Sequence, residues 1–124
     1  KYSFENVYYR EDRVCLPKIE LPKIPLNKDL GWCDDINSED YNRPINFPYE
    51  YNAELLHRVD NIYDIICVIN YNFEPIIKGR GSAIFMHVAR DGYAETEGCI
   101  ALKLEDLIWL LSQINKKTNI NILA

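Results

Sequence analysis

At 124 residues, with 48% hydrophobic and 27% charged side chains, the chain has room for one ordinary hydrophobic core and the composition of a globular domain. Its net charge of -5 argues against binding nucleic acid or an anionic membrane surface through simple electrostatics, and no apolar run is long enough to span a bilayer. Four cysteines, at 15, 33, 67 and 99, form no CxxC pair and no metal-ligand spacing, which speaks against a structural zinc site.

The whole chain, residues 1–124, reads as a single domain. It opens on Lys1-Tyr2-Ser3-Phe4 without a methionine, so it reads as a fragment or processed form, with any export signal upstream. Residues 1–16 have the pattern of a strand followed by a turn. Pro17 to Asn27 alternates proline with Leu and Ile, and because proline fixes φ and removes a donor, this is expected to be an extended arm pinned to a surface. Gly31 to Tyr51 is rich in turn residues, Asp34-Asp35 and Asn37-Ser38 among them, and leaves little room for regular structure. Ala53 to Arg58 is expected to form a short helical turn that carries His57 on a solvated face. Asp64 to Asn70 is β-branched and nearly continuously apolar, the mark of a strand buried on both faces, and Cys67 lies in its core. Cys15 and Cys33, in loop-like surroundings, are free to pair in an oxidising compartment.

The chemistry concentrates between Gly79 and Leu102. Ser82 to Met86 is a short apolar run behind a glycine, expected to be a buried strand with His87 at its end. Ala89 to Glu97 is polar, contains the turn dipeptide Asp91-Gly92, and is expected to return the chain to a second strand begun by Cys99. Two such strands side by side bring an imidazole and a thiol within reach, the arrangement that turns a weak thiol into a nucleophile. Gly98, without Cβ, would let a carbonyl approach backbone N–H groups able to hold an oxyanion. The plainer reading of the same residues is a small core cysteine and a polar strand end. Arg80, between two glycines, is either a bidentate partner for a substrate carboxylate or a surface turn arginine. Beyond this stretch, Leu104 to Lys116 has the apolar spacing of an amphipathic helix, with acids in its first turn and Lys116-Lys117 at its end. Residues 118–124 alternate as a closing strand.

The stretch GSAIFMHVARDGYAETEGCIAL resembles the signature of the L,D-transpeptidase catalytic domain family (YkuD, or ErfK/YbiS), in which a histidine is followed by Ser or Thr, a variable position, Gly and the nucleophilic Cys. Here those roles fall on His87, Thr96, Glu97, Gly98 and Cys99. The blocks Tyr9-Arg10 with Asp12-Arg13, Gly31-Trp32-Cys33-Asp34-Asp35, Tyr41-Asn42-Arg43 and Asn70-Tyr71-Asn72 resemble a subgroup of the same family. The resemblance implies a mostly β fold with one principal helix, a β-sandwich of the L,D-transpeptidase catalytic-domain type. It also implies a thioester of Cys99 with a peptidoglycan stem peptide, transfer to an amine, an extracytoplasmic location in a bacterium, and no cofactor or metal. The resemblance implies that the loop with Trp32, Asp35, Tyr41 and Asn42 shapes the border of the active site, and Trp32, Tyr71, Asn72, Arg80, Ser82 and Thr96 are expected to bind substrate. Water in place of the amine would give a carboxypeptidase or amidase. A catalytically silent cell-wall binding module is the reading of another class, prompted by Glu97 and Ala101, where many family members carry His and Arg or Asn.

Overall fold

A computed structural model describes residues 1–90 and 99–122, and among these the chain is mostly β, with nine strands and one helix. The organising strand is β6 (Ile65–Ile69), every residue of which is buried. Its side chains alternate between two cores: Ile65, Cys67 and Ile69 enter one, Ile66 and Val68 the other. That is why its sequence is continuously apolar rather than alternating. Each fully buried aliphatic side chain of this kind contributes about 1.5–3 kcal/mol.

Around β6 the larger sheet runs in the order β2 (Lys23–Pro25), β1 (Tyr2–Tyr9), β6, β7 (Phe85–Val88), β8 (Ile100–Leu102), with β9 (Asn119–Ile120) also on β1. On β7, Met86 and Val88 join the first core, while Phe85 joins the second. The first core is closed by α1 (Leu104–Gln113), whose Leu107 and Leu111 are fully buried. Glu105 and Asp106 sit in its first turn, where the helix dipole favours them. The expected basic complement is absent: the helix ends before Lys116, which instead lies 3.8 Å from Glu5.

The second core is closed by a small sheet of order β4 (Pro44–Asn46), β3 (Leu30–Cys33), β5 (Ala53–Leu55). This sheet corrects two expectations. Gly31 to Cys33 is a strand, buried throughout, so it shows no alternation to betray it. Ala53 to Leu55 is a strand rather than a helical turn, because pairing with β3 overrides the helix preference of Ala, Glu and Leu. Gly31 is required by close approach: a Cβ there would lie 2.5 Å from Phe47 Cε2 and 3.0 Å from the Glu54 carbonyl oxygen. The Pro-rich arm is pinned as expected, by Leu21 and Leu26 in the cores and by β2 on β1. Cys15 is exposed, Cys33 buried, and all four cysteines are free thiols, so the permitted disulfide is not formed.

The Tyr9-Arg10 and Asp12-Arg13 block has a structural task. Arg10, itself buried, grips Asp12 through two bonds of 2.8 and 2.7 Å and donates to the Arg58 carbonyl at 2.8 Å. Arg13 donates to the carbonyls of Val59 and Asp60 and to the Asp64 carboxylate. Two guanidiniums thus strap the 58–64 segment, which leads Tyr63 into the second core.

Candidate active site

A cleft of about 630 Å³ has a lining that includes Glu54, Tyr63, Ser82, Ala83, His87 and Cys99. Asp34, Arg58 and Arg90 bring charge to its walls. Two further clefts, of about 670 and 1230 Å³, are lined by no cysteine or histidine, so the chemistry rather than the size singles out this one.

Strand pairing puts Cys99 and His87 on one face of the sheet. β7 and β8 are parallel, with His87 opposite Ala101 and Met86 opposite Ile100. Side chains alternate, so Cys99, immediately before β8, shares the face of Ala101 and is the diagonal neighbour of His87. His87 lies inside β7 rather than at its end, because the strand, which begins only at Phe85, runs on to Val88.

The residues before β7 are occupied in shaping its approach. Ser82 donates to the Cys33 carbonyl at 2.6 Å, and Ala83 is held at φ 59, an uncommon conformation for a residue with a side chain. Asn42 fixes that backbone. Its Oδ1 accepts from Trp32 Nε1 at 3.0 Å and from the Ala83 N–H at 3.2 Å. Its Nδ2 donates to the carbonyls of Tyr71 and Asn72 at 3.0 and 2.9 Å. All four hydrogen-bonding positions of one buried amide are used. The Ala83 carbonyl then accepts the Cys99 thiol at 3.3 Å.

His87 is 3% exposed, and its Nδ1 lies 2.9 Å from the Val88 carbonyl, which can only accept. Nδ1 therefore carries the proton in the neutral ring, and Nε2 keeps a lone pair able to take one. Burial is the main cause holding the imidazole below its ordinary pKa, and the guanidiniums of Arg90 and Arg58 push the same way. Burial likewise raises the Cys99 thiol, with the Glu54 carboxylate adding to it and a backbone bond at Phe85 opposing it. Both shifts favour a neutral thiol and a neutral imidazole over an ion pair.

Of the residues expected to bind substrate, Ser82 lines this cleft. Trp32 and Asn72 line the 670 Å³ cleft instead, and Asn72 spends its amide on Ile77 and Gly81. Tyr71 donates to the Arg80 carbonyl, and Arg80 is exposed and outside the lining of the cleft. Gly98 and Thr96 lie outside the described residues. Glu54, Arg58, Tyr63 and Arg90 were not singled out from sequence as site residues. They reach the cleft from three separate segments, and only the helix-like reading of 53–58 stood where a strand carries Glu54. Among the described residues no group of His, Cys, Asp and Glu is arranged to hold a metal ion.

A match to the YkuD family model, the L,D-transpeptidase catalytic domain, covers residues 1–122. The chain belongs to that family, and its mostly β architecture with one helix is consistent with it. No curated protein and no solved structure matches the chain.

Proposed function

We propose that the chain is a cysteine-dependent L,D-transpeptidase that acylates itself on a peptidoglycan stem peptide and passes the acyl group to an amine. The observation that carries this reading is the shared face of Cys99 and His87 across β7 and β8, in a cleft, within a chain of this family. As Sγ attacks the peptide carbonyl, its proton moves to Nε2 of His87, held for the task by the bond from Nδ1 to Val88. The C–N bond then breaks, and the imidazolium returns the proton to the departing amine. Attack of a second amine on the thioester, with its proton passing through His87 to Sγ as the C–S bond breaks, forms the new amide and frees Cys99. Backbone N–H groups at Gly98 and Cys99 are assigned to the oxyanion. Arg58 and Arg90 supply the cations of the cleft, in place of the basic residue that Ala101 does not provide. Such an enzyme works outside the cytoplasm, and among the described residues no helix is long and apolar enough to cross a membrane.

Product analysis with a tetrapeptide stem, with and without an added amine, tests the proposal. Exchange or cross-linking that needs the amine and Cys99 is expected. Hydrolysis alone would make the chain a carboxypeptidase, and no turnover by a folded chain would leave a binding module.

A further inference from the structure

The Nδ1 partner of His87 is a backbone carbonyl, which fixes one atom and leaves the ring plane to packing. The packing comes from Tyr63. Its ring meets the His87 ring edge-on, with centroids 5.4 Å apart at 82°, and meets Phe85 similarly at 5.9 Å and 79°. Tyr63 therefore touches two alternate residues of β7, the pair on the face toward the cleft. It cannot rotate away, because its hydroxyl donates to Glu54 Oε1 on β5, in the other sheet. The Arg58 guanidinium lies 5.7 Å from its ring centroid and is itself tied to Asp60 by bonds of 2.9 and 2.6 Å.

Charge completes the picture. Among the described residues, the charged groups facing the pair are Asp34 after β3, Glu54 on β5, Arg58 and Asp60 before Tyr63, and Arg90 after β7. The cations oppose an imidazolium, and the Glu54 carboxylate opposes a thiolate. We propose that Glu54 and Tyr63 form a brace between the two sheets that fixes the plane of His87 and holds Cys99 and His87 in their neutral forms until substrate enters. Both are positioning residues, and the proposal rests on the reading of Cys99 as nucleophile and His87 as base. A thiol held this way resists stray electrophiles and oxidants, which attack the thiolate.

The test uses the full chain with Cys15→Ser, which removes the exposed thiol, and follows iodoacetamide alkylation of Cys99 by intact mass across pH. Glu54→Gln keeps an acceptor for Tyr63 and removes the charge. The alkylation midpoint is expected to fall by roughly one pH unit and the rate at pH 7.5 to rise about 3- to 10-fold. Tyr63→Phe keeps the ring and removes a hydrogen bond from the carboxylate, so the midpoint is expected to rise; this variant serves as the test should Glu54→Gln not fold. In Tyr63→Leu the nitrogen resonances of His87 are expected to show mixed tautomers, and in Tyr63→Phe a single one. An unchanged midpoint in folded Glu54→Gln, or a single His87 tautomer in folded Tyr63→Leu, overturns the brace. Alkylation requires no stem peptide, so a chain that shows these shifts without turnover overturns the transpeptidase reading alone.

Discussion

Replacing Asn42 by alanine should unfold the approach to the cleft more severely than its distance from the thiol implies. The side chain is 2% exposed, and its removal leaves Trp32 Nε1 and the Ala83 N–H without their acceptor, and the carbonyls of Tyr71 and Asn72 without their donor. An unsatisfied buried group costs about 1–3 kcal/mol. The two orphaned N–H groups alone then cost about 2–6 kcal/mol, and the φ of 58 at this position adds to it, since Asn tolerates that region better than Ala. Water entering the gap recovers part, which places the expected loss near 3–5 kcal/mol. Urea unfolding at constant m would read it, with Asn42→Asp at least as damaging, because its second oxygen would face the two carbonyls. A loss below about 1 kcal/mol would show that the Asn42 network does not hold Ala83, and the account of how that carbonyl meets the Cys99 thiol would fail.

Gly31→Ala is expected to cost about 1–3 kcal/mol in the same assay, since the Glu54 carbonyl 3.0 Å from the new Cβ is backbone and cannot swing away; a neutral result would contradict the packing of the small sheet. Acid should weaken the fold through His87: a histidine held below its ordinary pKa binds protons more readily once unfolded. Its contribution is therefore complete above about pH 6.5 and is lost as the pH falls through the folded value. Chemical unfolding at pH 7 and 5.5 should show that slope, and His87→Gln should flatten it; Asp12, lowered to about 2 by Arg10, adds its own loss only in stronger acid. Arg10→Met should speed amide hydrogen exchange across residues 58–64, which lose the tie at the Arg58 carbonyl, and unchanged exchange would refute the strap.

What the sequence made legible was local. The apolar run of β6 and the spacing of α1 each carry their structure in a single stretch, and so do the neighbouring strands β7 and β8. The small sheet was hidden because its central strand is buried on both faces and flanked by turn residues, while β5 is written in helix-forming residues and made extended by its partner. The walls of the cleft were hidden for a related reason. Glu54, Tyr63 and Arg90 share no spacing, and only the folding of one sheet over the other places them around the thiol. Trp32, Tyr71 and Asn72 come from the motif blocks, and the structure gives them a common partner in Asn42.

The most direct test of the central claim is intact mass after incubation with a carbapenem, a class expected from the family resemblance to acylate such cysteines, beside a Cys99→Ser control. One covalent adduct on the native chain and none on the control is the predicted result. A folded native chain that takes no adduct, or an adduct that persists in Cys99→Ser, would contradict the assignment of Cys99 as the nucleophile.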